Sequence, residues 1–233
     1  HATPYRLEEE KMAVIIQQVE GSQHGDRFYP DFSGVARSHN YYPVPPLAAE
    51  DGVAAVALGM GRSVVEGEKC LTFCPRYPRH LLQFSSVRDI LANSQRQFWA
   101  LDLSGGPTDA ARPPRETRFD LEAAEADGTL FAVGSTYALD DNTVHDGLGR
   151  QGTRLVSFAP ILKHGVFPLD GILTRVLDIA RHGLNRPVEI EFAVRLDVPP
   201  GQPQEFGFLQ MRPLVLSRET AALEVEDADD AEL

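Results

Sequence analysis

The sequence predicts a mixed α+β domain, and three observations carry that expectation. Short apolar runs at 12–19, 34–38 and 51–61 have the length and composition of strands. Segment 168–187 places its apolar residues at helical spacing. Strand-like segments 188–194 and 205–215 follow each other across the proline-rich "RLDVPPGQPQ", the layout of an antiparallel hairpin with a long tip.

In chain order, "MAVIIQQV" (12–19) is nearly continuous in apolar residues, the pattern of a central strand covered on both faces. The glycine- and proline-bearing "EGSQHGDRFYPDFSG" then turns the chain into a second strand over 34–38, and "DGVAAVALGMG" (51–61) adds a third. Over 84–103 a helix is expected, with Val87, Ile90, Leu91 and Phe98 on one stripe and Ser86 with Asp89 as a capping box. "SGGPTDAARPPRE" (104–116) reads as an exposed loop. Strands at 129–139 and 152–162 flank the polar stretch 140–151. Pro168 opens the amphipathic helix, whose apolar face is Ile172, Val176, Leu177, Ile179 and Ala180 and whose stop is Gly183. The acidic "ALEVEDADDAEL" reads as a frayed tail.

Composition narrows the function classes. A chain of 233 residues with 42% hydrophobic and 24% charged residues is an ordinary globular protein, too apolar for disorder and too varied for a fibre. A formal net charge of −12 opposes the counterion release on which nucleic-acid binding depends, so no nucleic-acid partner is expected. No apolar run reaches the ~20 residues of a membrane span. Cys70 and Cys74 lie four apart, whereas a closed zinc site takes about four ligands, so they read as free thiols in a reducing cytoplasm. The start at His1 without Met reads as a processed or excised chain.

The chemistry concentrates near the C-terminal end. Glu189 and Glu191 alternate with Ile190 and Phe192, so both carboxylates share one strand face. Gln210 and Arg212 alternate in the same way with Leu209 and Met211. If the hairpin pairs, two carboxylates, an amide and a guanidinium meet on one surface. Hard oxygen ligands beside an arginine suit Mg²⁺ and phosphate. Spacing alone fits a cross-strand Glu–Arg pair on a solvated sheet face better than a metal site.

Four segments, taken in order, carry a resemblance. "AVIIQQV", "SGVARSHNYYP", "GMGRSVVEGE", and "EIEFAV" followed by "FLQMRPLV" resemble V-Q-x-M, S-G-V-A-F-x-R-N-P, G-L-G-E-x-V-V-x-G and D-I-E-W with L-Q-x-R-P. These are patterns of the nucleotide-binding domain of the phosphoenolpyruvate synthase and pyruvate phosphate dikinase family, and they cover most of 11–215. The resemblance implies an ATP-grasp subdomain, a mainly antiparallel sheet with packed helices, and ATP with Mg²⁺ as ligands. It implies that Gln17, Gln18 and Val19 line the adenine, that Glu191 and Glu189 bind the metal with Gln210 in support, and that Arg212 contacts the transferring phosphoryl group. Ser33 and Gly34 would bring a strand close beneath the nucleotide or a neighbouring strand, and Gly59, Gly61 and Gly67 would offer close backbone approach near the phosphates. Each glycine could equally serve a turn.

Departures accompany the match. Arg62 stands where the family has an acid, Arg37 where it has an aromatic, and His39 where it has a basic residue. The upstream V-R-S-S segment, a T-C-H-like phosphohistidine carrier and a pyruvate-binding barrel have no counterpart here. The expected layout is therefore a partial ATP-grasp domain over 1–216, with an insertion at about 76–150 and an acidic tail at 217–233. As a partial cleft it is expected to bind ATP weakly and to be inactive alone, its partners being the upstream subdomain, the carrier and the pyruvate-binding domain of a parent protein. The alternative is a catalytically silent sensing or interaction domain.

Overall fold

The computed structural model describes residues 13–105, 113–199 and 201–214. After an irregular segment at 13–20 come β1 (Ser22–His24), β2 (Arg27–Tyr29), β3 (Phe32–Arg37) and β4 (Val53–Leu58). A single turn, α1 (Arg62–Val65), leads to β5 (Leu71–Phe73), α2 (Val87–Asn93), β6 (Gln97–Asp102) and β7 (Arg115–Asp120). Then follow α3 (Leu121–Asp127), β8 (Gly134–Ala138), β9 (Thr143–Asp146), β10 (Thr153–Val156) and α4 (Ala159–Leu162). The chain closes with the long α5 (Leu169–Leu184), β11 (Val188–Arg195) and β12 (Glu205–Pro213).

Among the described residues three sheets form, ordered β12-β11-β3-β4-β5, β1-β2-β6-β7 and β10-β8-β9. Every ladder is antiparallel. This is the α+β, mainly antiparallel class that the sequence predicts. The central sheet buries one face because its strands alternate: Phe32 and Ala36, Ala54 and Val56, Ile190, Phe192 and Val194 all turn inward. Onto them α5 lays Leu169, Leu173 and Leu177, a stripe at i, i+4 and i+8. Tyr29 and Phe98 of the second sheet join the same buried cluster with ring centroids 4.7 Å apart. Residues within 76–150, among them Phe98, Leu121, Leu130 and Val133, thus share one core with the central sheet.

Several local expectations are corrected. The run at 12–19 is no central strand over its described residues: Val14, Ile15 and Ile16 are 82%, 89% and 93% exposed. The segment runs beside the edge strand β12, where the Gln17 side chain donates to the Leu209 carbonyl at 2.9 Å. The helix expected over 84–103 is only α2, capped by Ser86, whose hydroxyl accepts from the Asp89 amide at 3.1 Å. Ser94 then turns extended, and β6 takes over with Phe98 and Ala100 buried at period two. Residues 129–132 form a 3-10 turn before β8, 159–162 form α4 after β10, and the polar stretch 140–151 holds β9. Gly183 does not stop α5, which ends one residue later with Asn185 in the left-handed region. Ile179, assigned to its apolar face, is 64% exposed. The loop at 104–116 lies partly, and the tail at 217–233 wholly, outside the described residues.

Candidate nucleotide site

The site face is the side of the central sheet opposite the buried cluster. There β11 presents Glu189 and Glu191, with Arg212 and Gln210 directly across on β12. On its other flank β3 sets Arg37 opposite Glu189 and Val35 opposite Glu191. The hairpin thus brings the acid, amide and guanidinium together on the one face that alternation predicts. A bulge between Glu191 and Phe192 shifts the β12 pairing after that point.

A cleft of about 260 Å³ opens on this face. Eight of the residues singled out from the sequence line it: Gln17, Gln18, Val19, Ser33, Gly34, Gly61, Glu191 and Gln210. They arrive from the N-terminal segment, β3, the β4–α1 turn, β11 and β12. Pro30, Met60 and Val65 supply apolar walls that sequence reasoning did not single out, and Leu209, expected on the face opposite Gln210, joins the lining where the bulge leaves it unpaired. Such walls beside a few polar groups are the usual make-up of a small-molecule site. Ser33 sends its hydroxyl to the Gly59 carbonyl at 2.7 Å, so it holds the cleft floor together.

Glu189, Arg212 and Gly59 lie outside that lining. Glu189 is 2% exposed, and both of its oxygens face guanidinium groups. Arg37 Nε donates to Oε2 at 2.5 Å, and Arg212 Nε donates to Oε1 at 2.6 Å. Burial pushes the Glu189 carboxyl up, but the hydrogen bonds and charges of Arg37 and Arg212 outweigh it and hold the group below the usual range. Its oxygens are engaged by arginines rather than turned to the cleft, as a metal ligand's would be. Arg37 could have been found only by knowing that β3 pairs with β11.

The glycines divide by role. A Cβ on Gly34 would come within 2.6 Å of both the Ala55 carbonyl oxygen and the Phe192 ring, so only glycine lets β3 lie over that ring. Gly59 has φ 79°, and a Cβ there would meet the Trp99 carbonyl oxygen at 2.6 Å, so it serves the contact with β6. Gly61 borders the cleft with room to spare.

Among the described residues no three His, Cys, Asp or Glu side chains converge as a metal cage. The donors that face the cleft, the Glu191 carboxylate and the Gln210 amide, are hard oxygens. They fit a Mg²⁺ that takes its remaining ligands from phosphate and water. Cys70 and Cys74 are free thiols whose pKa values burial raises, and they keep their protons at neutral pH.

The antiparallel α+β architecture, with an open cleft on one face of the central sheet, is of the ATP-grasp-like class. A family model described as the AMP/ATP-binding domain of pyruvate phosphate dikinase matches residues 2–233, and the chain belongs to that family. Comparisons with curated proteins and with solved structures returned no match. The chain is accordingly an ATP- or AMP-binding domain of kinase-type, ATP-dependent enzymes. Among the described residues no helix is long and apolar enough to cross a membrane.

Proposed function

We propose that the chain is the nucleotide-holding part of a larger phosphotransferase of the phosphoenolpyruvate synthase and pyruvate phosphate dikinase type, which passes a phosphoryl group from ATP to a carrier histidine on another domain. The observation that carries this reading is the convergence of five segments, 17–19, 33–34, 61, 191 and 210, on one cleft of a fold whose family binds ATP. Gln17 to Val19 take the adenine at the apolar end. Glu191 and Gln210 hold the metal at the polar end, and Arg212 meets the terminal phosphate. Bound Mg²⁺ would neutralise charge on the phosphates. The chain's own residues bind and orient, which is most of what phosphoryl transfer asks of a protein.

The exposed Val14, Ile15 and Ile16 just before Gln17, with Phe208 at 49% and Met211 at 40% exposure on β12, support a neighbouring subdomain that closes over the cleft. The acidic net charge supports the absence of a nucleic-acid partner, and the protonated free thiols support a reducing, cytoplasmic setting. The layout 1–216 with an added segment at about 76–150 and a tail at 217–233 belongs to this reading.

Titration of Mg-ATP into the wild-type chain and into Glu191→Ala tests it. Loss of the carboxylate is expected to weaken binding by about tenfold or more. A longer chain carrying an upstream subdomain is expected to bind more tightly and to transfer phosphate where the present chain does not. Equal affinities for wild type and variant would sink the assignment. One observation favours a catalytically silent sensing or interaction domain instead. Arg62, standing where the family has an acid, is turned away onto Trp99 at 4.1 Å and paired with Glu66 and Glu116. Failure of the longer chain to transfer phosphate, with Mg-ATP binding intact, would establish that reading.

A further inference from the structure

We infer that Arg37, together with Arg212, forms a two-guanidinium cradle for the terminal phosphate of the nucleotide, with the buried Glu189 carboxylate as its shared anchor. The inference rests on the nucleotide reading of the cleft and adds to it a residue that stands where the family pattern has an aromatic.

The geometry is set by the sheet. β3 and β12 flank β11 on opposite sides, so the backbones of Arg37 and Arg212 lie about 9.5 Å apart, two strand spacings. Register places both opposite the same residue, Glu189. Each guanidinium leans inward onto one carboxylate oxygen. Anchored in this way, two flexible side chains are held in one orientation before any ligand arrives.

The donor count leaves capacity for an anion. A guanidinium carries five N–H donors. Arg37 commits Nε to Glu189, and Arg212 commits Nε and Nη2. Among the described residues, the Arg37 Nη groups and Arg212 Nη1 have no other partner. The arginine side chains are 46% and 60% exposed while the carboxylate between them is 2% exposed, so the uncommitted donors are on the open side. One carboxylate for two guanidiniums leaves a formal charge of +1 on this patch, in a chain of net charge −12.

The position also fits a phosphate chain. Glu189 precedes Glu191 by two residues on the same face of β11, about 7 Å along the strand. Polyphosphate bound at Glu191 and Gln210 and running away from the apolar walls therefore arrives at the triad. Fork-shaped donors on either side suit the tetrahedral oxygens of a terminal phosphate.

The test compares Mg-ATP, magnesium tripolyphosphate and adenosine as calorimetric titrants of the chain. In Arg37→Ala, affinities for Mg-ATP and tripolyphosphate are expected to fall about tenfold while that for adenosine changes by less than about twofold. Arg212 still holds Glu189 in this variant, so folding is expected to persist. Arg37→Gln, which can donate to Glu189 but has no charge, serves if alanine unfolds the chain and is expected to show the same selective loss. A purely structural Arg37 would lower the unfolding temperature and leave the ratio of Mg-ATP to adenosine affinities at its wild-type value, and that result overturns the inference. The nucleotide reading survives this outcome provided that Glu191→Ala still weakens Mg-ATP. If wild-type chain binds neither Mg-ATP nor tripolyphosphate, both fall together.

Discussion

Two clusters among the described residues gather arginines around a glutamate, and they are balanced in opposite ways. Around Glu68, the Trp99 indole and the Ser63 hydroxyl each donate at 3.1 Å, and Arg118 completes an ion pair. Arg62 and Arg118 cover the Trp99 ring at 4.1 and 4.7 Å, and Arg62 is itself matched by Glu66 and Glu116. Two guanidiniums there meet three carboxylates. Around Glu189, two guanidiniums meet one carboxylate, and that carboxylate is buried. Arginine near glutamate is therefore not one motif. The first cluster carries carboxylates in excess on the surface, whereas the second carries guanidiniums in excess on the outer face of the sheet.

The sharpest way to break this contrast is to remove both cations from the buried acid. Arg37→Ala with Arg212→Ala is expected to lower unfolding stability by about 3 kcal/mol, because a buried carboxylate loses its partners. A loss under about 1 kcal/mol in urea denaturation would show that Glu189 does not depend on them.

Acid provides a gentler probe of the same group. The folded pKa of Glu189 is depressed below its ordinary 4.5, so its contribution is present above that value and is lost as pH falls through the lower, folded pKa. The stability difference between wild type and Glu189→Gln is expected to be flat near neutrality and to shrink at pH below 4.5. A difference that grows on acidification would reverse the assignment.

The smallest effect is expected at the other cluster. Glu68→Gln removes a partner from a pair whose side chains are 27% and 50% exposed, and the loss is expected at about 1 kcal/mol or less, diminished by salt. A salt-independent loss as large as that of the double arginine variant would erase the distinction.

How far these features were legible depends on the range of the contacts that make them. That Glu189 and Glu191 share a face with Gln210 and Arg212 followed from alternation in "EIEF" and "LQMR", whereas the register and its bulge at Leu209 did not. Arg37 was seen only as a departure from the family pattern, because its partner lies 152 residues away and local spacing carries no trace of that pairing. The apolar run at 12–19 misled because apolar continuity is the same in a doubly covered strand and in a segment whose side chains are open to solvent. Phe98 suited a helical stripe as well as a strand, and its strand identity came from packing against Tyr29. Gly59 looked like a phosphate-loop glycine, but its φ of 79° serves the approach to Trp99.

For anyone re-tailoring ligand preference, Gly34 marks where not to begin. Its Cβ position is already occupied by the Phe192 ring and the Ala55 carbonyl oxygen, so added bulk there would pry the strands apart before it touched a guest. Gly61 is the natural dial: a methyl there meets nothing nearer than the Ser33 hydroxyl at 3.6 Å, so alanine would trim the mouth of the cleft and leave its foundation undisturbed.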